Sequence, residues 1–180
     1  ANVIVMDDGF QNPSLFKNLS LVVVDGRYGF GNGQIIPAGP LRESIKDGLG
    51  RADAIVLIGD DDTTVEKTIR HYCEKKLPIL RATLLAGPDA RELKGQAVFA
   101  FAGIGDPRKF FKTLEETGCT LVEQISFADH HPYSTSEINA LKEAAEKKNA
   151  ILITTEKDAI RLPNSTRDGI KILTIDLKWN

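Results

Sequence analysis

Short apolar runs alternate with amphipathic and polar stretches along the whole chain. The first, Val3-Ile4-Val5-Met6, ends on two acids, Asp7 and Asp8. The second, Leu21-Val22-Val23-Val24, ends on Asp25. Further runs follow at 54–58, 78–82, 97–101, 120–125, 150–154 and 170–175. Apolar, often β-branched runs of this length between breakers predict buried strands. Helical patterns lie between them. Val65, Ile69, Tyr72 and Cys73 make one apolar face over 64–76. Asp106 is a predicted N-cap with Pro107 at the first helical position, ahead of Phe110, Phe111 and Leu114. Ser134-x-x-Glu137 reads as a capping box that starts a helix carrying Ile138, Leu141 and Ala145. Strands separated by helices imply right-handed βαβ units and mainly parallel sheets, an α/β protein. A polar segment near 86–95 predicts a domain boundary, with domains over 1–88 and 89–180.

The composition fits a globular chain: 42% hydrophobic and 27% charged residues. A net charge of −2 gives no electrostatic footprint for nucleic acid and little for an anionic membrane. No apolar run approaches the roughly 20 residues that cross a bilayer. Cys73 and Cys119 stand far apart inside apolar patterns, which predicts buried thiols in a reducing compartment.

Candidate chemistry sits mostly where predicted strands end. In open α/β sheets, ligands bind at the carboxyl ends of the strands. Asp7-Asp8-Gly9-Phe10-Gln11-Asn12 offers two carboxylates there, suited to Mg²⁺, which takes oxygen ligands and keeps several waters. Between Gly26 and Pro40 the chain is too rich in breakers for regular structure. Gly26, Gly29, Gly31 and Gly33 leave backbone N–H groups room to approach an anion, and Arg27 and Arg42 could pair with phosphate oxygens. The spacing is not that of a Walker A loop. Asp129-His130-His131 follows a strand and could pass protons or bind metal. The same tripeptide occurs in manganese phosphoesterases, so a metal-dependent phosphoesterase is one alternative reading and a non-catalytic α/β binding module another. Thr154-Thr155-Glu156-Lys157-Asp158 reads as a helix cap.

The order of these segments is more specific than any one of them. Asp7-Asp8-Gly9-Phe10-Gln11 is followed by Gly29-Phe30-Gly31-Asn32-Gly33, then Pro37-Ala38-Gly39-Pro40-Leu41-Arg42-Glu43 and Arg51-Ala52-Asp53-Ala54. Phe101-Ala102-Gly103-Ile104-Gly105, Phe110-Phe111, Asp129-His130 and Thr154 to Ala159 come later. The series resembles the tetraacyldisaccharide 4'-kinases (lipid A 4'-kinases) over nearly all 180 residues.

The resemblance implies a partial P-loop-type, mainly parallel sheet followed by a second, smaller α/β/α domain. It implies transfer of the γ-phosphate of ATP, with Mg²⁺, to the 4'-hydroxyl of a tetraacyl glucosamine disaccharide 1-phosphate. The product is lipid IVA, made at the cytoplasmic face of the inner membrane by a peripheral enzyme. By the same carry-over, Asp7 and Asp8 match Walker B-type acids, with Asp8 the Mg²⁺ ligand. Gln11 lies beside them, and Arg42 and Glu43 match positions lining the site. His130 matches a histidine that activates the substrate hydroxyl. Two departures stand out. Position 12 is Asn where the family usually has His. The region with the Walker A loop, the histidine's carboxylate partner and the membrane-docking segment is not matched. The chain is therefore expected to be about the C-terminal half of such an enzyme, cytosolic and inactive by itself.

Overall fold

The computed structural model describes residues 2–180. The chain forms two compact units: one comprises the chain up to Leu84 together with Leu177–Asn180, the other Leu85–Asp176. Each is built on a four-stranded sheet.

The first unit contains β1 (Leu21–Asp25), α1 (Ile45–Arg51), β2 (Ala54–Ile58), α2 (Val65–Tyr72) and β3 (Ile79–Ala86). Strands β1, β2 and β3 pair in parallel, with Val23 opposite Val56 and Val56 opposite Leu80. The last strand, β8 (Ile175–Trp179), joins this sheet beside β3. One sheet face is packed: Val24, Ile55 and Leu57 meet Leu49 of α1 and Val65 and Ile69 of α2. The other face carries Leu21, Val23 and Leu80 in solvent, with Val23 65% exposed. Helix α2 ends at Tyr72, short of the predicted Lys76. Its start is held by Asp61, whose carboxylate accepts from the N–H groups of Val65 and Glu66 at 2.5 and 3.2 Å.

The run Val3-Ile4-Val5-Met6, predicted as a buried parallel strand, is not one. It pairs with no strand among the described residues, and Val5 is 90% exposed. A strand is held by its neighbours' hydrogen bonds, and the sheet begins at β1. The predicted strand over 170–175 also divides. Lys171–Leu173 (β7) belongs to the second sheet, while Ile175 opens β8 in the first.

The second unit contains β4 (Ala97–Ala102), α3 (Pro107–Glu116), β5 (Thr120–Ser126), α4 (Thr135–Lys147), β6 (Ile151–Thr155), α5 (Glu156–Arg161) and β7. Its order is β5-β4-β6-β7, all parallel. The period-2 alternation of β4 divides its side chains between two cores. Val98, Ala100 and Ala102 pack with Phe110, Phe111 and Leu114 of α3. Phe99 and Phe101 pack with Ile138, Leu141 and Ala145 of α4. Both faces are covered, as parallel sheets require. The capping box of α4 forms as predicted: Ser134 Oγ accepts from Glu137 N at 3.2 Å, and Glu137 Oε2 accepts from Ser134 N at 2.8 Å. Asp106 stands at the N-cap of α3 without a side-chain capping bond; its carboxylate meets Arg108 Nε at 3.1 Å.

Phe101 is fully buried in the core under α4. Phe101→Ala is expected to destabilise the second unit by about 3–5 kcal/mol, the range for truncating a buried Phe. The slowest-exchanging amides of β4 measure it. A loss below about 1 kcal/mol would contradict this packing.

Candidate active site

In the first unit, residues more than thirty positions apart in sequence are drawn together. The acids Asp7 and Asp8 lie in a turn that follows this unpaired stretch, and Asp8 holds a left-handed φ of 52°. Arg42 Nη1 sits 2.9 Å from both Oδ1 and Oδ2 of Asp8. Gln11 Nε2 donates to Glu43 Oε1 at 3.0 Å, and Arg51 Nη2 reaches the same oxygen at 2.7 Å. The Arg51 guanidinium also stands over the Phe10 ring, 5.0 Å from its centroid, a cation–π distance. Three contacts thus fasten 8–11 to 42–51. Ser44 caps α1 by accepting from Asp47 N at 3.1 Å, which fixes where Arg42 and Glu43 leave the preceding turn. A depression of about 750 Å³ beside them is lined by Phe10, Gln11, Asn12, Lys17, Glu43 and Arg51.

The Asp8–Arg42 pair is open to solvent, with side chains 67% and 57% exposed. An exposed pair contributes about 0–1 kcal/mol, so it is easily exchanged for other partners. Exposed carboxylates with room for water and phosphate oxygens suit Mg²⁺, which is held by one or two carboxylates rather than a protein cage. Asp7 and Asp8 fit that description; both are exposed.

The glycine-rich loop does a different job from the one its composition suggests. Gly29, Gly31 and Gly33 all have positive φ. Their N–H groups donate to the carbonyls of Asp25, Tyr28 and Phe30, which makes consecutive turns rather than an open anion cradle. Gly31 must also be bare, because a Cβ there would lie 2.6 Å from Pro40 Cγ. Arg27 Nε lies 3.8 Å from Asp25 Oδ1. Asn12 braces its own turn, its Oδ1 accepting from Ser14 N at 2.9 Å and its carbonyl from Lys17 Nζ.

In the second unit, the two adjacent histidines are sorted into different environments. His131 is tucked in: its ring stacks on Phe127 at 4.7 Å, and Nε2 lies 3.0 Å from Glu137 Oε1. His130 points out, with its side chain 85% exposed and Nε2 3.7 Å from Asp129 Oδ2. It occupies a left-handed turn at φ 59°, a conformation that costs a non-glycine residue of order 1 kcal/mol. Its N–H donates to Gly103 O at 3.1 Å and Asp129 Oδ1 at 3.0 Å. His130 is therefore the one of the pair with a free approach. Among the described residues, no three or more His, Cys, Asp or Glu side chains are grouped to hold a metal ion. This donor arrangement gives the metal-dependent phosphoesterase reading no multi-ligand centre around Asp129-His130-His131.

Arg51 was legible only as part of a motif; its cation–π and carboxylate contacts had no one-dimensional signal. The sequence predicts Asp158 within a helix cap; in the structure it is also fully buried. The signal available for it was its place three residues after Thr155, in a strand-to-helix turn.

Fold and site together define a two-unit protein with parallel sheets, a solvent-facing acid–arginine cluster in one unit and an outward histidine in the other. The sequence pattern of the family described as tetraacyldisaccharide-1-P 4'-kinase matches residues 1–180, and the chain belongs to that family. The tetraacyldisaccharide 4'-kinase of Paramagnetospirillum magneticum is 51% identical over 180 residues, covering 100% of this chain and 54% of that protein. The enzyme of the same name from Rhodospirillum rubrum is 50% identical over 175 residues, covering 97% and 53%. The chain thus spans about half the length of these relatives. The crystal structure of LpxK from Aquifex aeolicus in complex with ATP has the same fold, with a TM-score of 0.65 at 24% identity over 96% of this chain and 51% of that one.

The Glu137 carboxylate accepts from Ser134 Oγ and N and faces His131, and these bonds hold its pKa down from 4.5 to about 2. A depressed carboxylate stabilises the fold fully above its ordinary pKa and loses that contribution as pH falls through the lowered value. The contribution is therefore intact above about pH 4.5 and gone near pH 2. A carboxyl ¹³C titration should place the Glu137 midpoint near 2, moving toward 4.5 in Ser134→Ala. An unmoved midpoint would exclude Ser134 as the cause.

Proposed function

We propose that this chain is the C-terminal part of an ATP-dependent lipid kinase that phosphorylates the 4'-hydroxyl of a tetraacyl glucosamine disaccharide 1-phosphate. The observation that carries the reading is the convergence of Asp8, Gln11, Arg42 and Glu43 in one exposed cluster within a chain of this family. The ATP bound in the Aquifex aeolicus structure supports the nucleotide as phosphate donor.

The step breaks the bond between the γ-phosphorus and its bridging oxygen and forms one to the 4'-oxygen. ADP leaves, and the hydroxyl proton goes to a base. Such a transition state needs charge neutralisation, positioning and a base rather than covalent chemistry from the protein. Mg²⁺, held by Asp8 with Asp7 beside it, would supply charge neutralisation on the phosphates. Arg42, only weakly held by Asp8, would pair with phosphate oxygens. Gln11 and Glu43 brace each other, and Arg51 holds Glu43. Arg27 and Asn12 are assigned to the phosphate-binding rim. His130, outward and unburied, accepts the hydroxyl proton.

The first unit is assigned as the C-terminal part of a P-loop kinase domain and the second as a smaller C-terminal domain. We place the full-length protein at the cytoplasmic face of the inner membrane, with peripheral contact made by a region outside this chain. No described helix is long and apolar enough to cross a membrane. The chain alone is expected to be inactive, because it has no Walker A sequence and spans half the length of its relatives. The open apolar face of its first sheet supports the same reading.

Asp8→Asn in the full-length protein is expected to lower kcat on the order of a hundredfold or more, since metal charge stabilisation amounts to several kcal/mol. His130→Ala should cost a comparable roughly 10²–10⁴-fold as loss of a general base. Steady-state assays with ATP, Mg²⁺ and the lipid measure both. Unchanged kcat in either variant removes that residue from the mechanism, and turnover by the 180-residue chain at the full-length rate would overturn the division of function.

A further inference from the structure

The carboxylate of Asp158 has more partners than a helix cap requires. One oxygen does the capping: Oδ2 accepts from Thr155 Oγ1 at 2.6 Å, while Thr155 Oγ1 accepts from Asp158 N at 3.1 Å. The other oxygen gathers donors from three places. Oδ1 accepts from Gly103 N at 3.0 Å and Tyr133 Oη at 2.9 Å, and Arg161 Nη2 lies 3.2 Å away. Arg161 Nη1 also donates to Gly103 O at 3.0 Å, the same carbonyl that accepts from His130 N. Gly103 is thus gripped from both sides, its N–H by Asp158 and its C=O by Arg161 and His130.

There is no slack in the packing around it. A Cβ on Gly103 would lie 2.9 Å from Tyr133 Oη, 3.0 Å from Ala128 O and 3.2 Å from His131 Cβ. Burial, reinforced by the Asp158 carboxylate, pushes the Tyr133 phenol well above its ordinary range, so it stays protonated and donates. A fully buried carboxylate is costly unless it is paired and hydrogen-bonded, and here the donors come from the loops after β4 (Gly103) and β5 (Tyr133), from the end of β6 (Thr155) and from the end of α5 (Arg161). A cap on the six-residue α5 does not by itself call for burial of the charge.

We infer that Asp158 is a positioning residue: with Arg161 and Tyr133 it fixes Gly103, whose carbonyl fixes the left-handed turn that presents the His130 imidazole. The inference rests on the reading of His130 as the base. It explains how an exposed side chain can have a defined direction, since the imidazole itself is held only loosely, 3.7 Å from Asp129. The backbone beneath it is anchored to an ion pair whose acid, Asp158, is fully buried.

Asp158→Asn keeps the shape and removes the charge; Tyr133→Phe removes one donor and leaves the ion pair, and serves if the first variant does not fold. In this chain, amide exchange at Gly103 and His130 is expected to accelerate roughly tenfold or more in Asp158→Asn, while Leu141 and Ile153 stay within about twofold. In the full-length protein, kcat should fall by roughly ten- to a hundredfold with KM for ATP within about twofold, and Tyr133→Phe should show a smaller fall of the same kind. Unchanged protection at His130, protection lost evenly across the second unit, or a released His130 with unchanged kcat would each overturn the inference. A normal kcat in His130→Ala would instead sink the base assignment, while the amide exchange would still decide whether Asp158 fixes the turn.

Discussion

Parallel pairing is the constraint on which the rest of the molecule depends. Parallel strands deliver all their carboxyl ends to one edge, and the loops that leave that edge become neighbours whatever their separation in sequence. In the second unit, β4, β5 and β6 run side by side in this way. The turn after β4, the Asp129-His130-His131 loop after β5 and the Thr155–Asp158 cap after β6 therefore meet. Fifty-five positions separate Gly103 from Asp158, yet they share a hydrogen bond. The same order requires both faces to be covered, and α3 and α4 cover them with the alternating side chains of β4.

The first unit uses the same plan with a different result. Its sheet is packed against α1 and α2 on one face and only partly covered on the other, where Leu21, Val23 and Leu80 meet solvent while Val56 between them is buried. Its candidate site lies in irregular chain. Asp8, Gln11, Arg42 and Glu43 are not strand residues; ion pairs, a shared carboxylate and the Phe10–Arg51 contact bring them together. Such contacts are individually weak and exposed, so they exchange partners at little cost. The second unit supplies the opposite quality, a buried and fully satisfied polar network under an exposed histidine.

Much of this was legible in the sequence, and the misses share a cause. Strands β1, β2, β4, β5 and β6 follow from apolar runs between breakers, and the α4 capping box from Ser134 and Glu137. Those signals are local. Val3–Met6 carries the same local signal, but strand formation depends on a neighbour, and no described strand lies beside it. The run over 170–175 reads as one strand because composition does not say which sheet a residue joins. The glycine loop shows that glycine content permits tight turns without saying whether the N–H groups face a ligand or each other. His130 and His131 are identical in sequence terms, and only packing on Phe127 and Glu137 separates them. The order of motifs, by contrast, carried the family outright.

In the proposed function, the Asp8–Gln11–Arg42–Glu43 cluster handles the metal-bound phosphates. Paramagnetic broadening tests it most directly: Mn²⁺ replaces Mg²⁺ in the full-length protein with ATP present, and backbone amides report their distance from the ion. The amides of Asp8, Gly9 and Gln11 are expected to lose intensity first, with Asp8→Asn abolishing the effect. Persistence of those signals while amides in another loop disappear would contradict it.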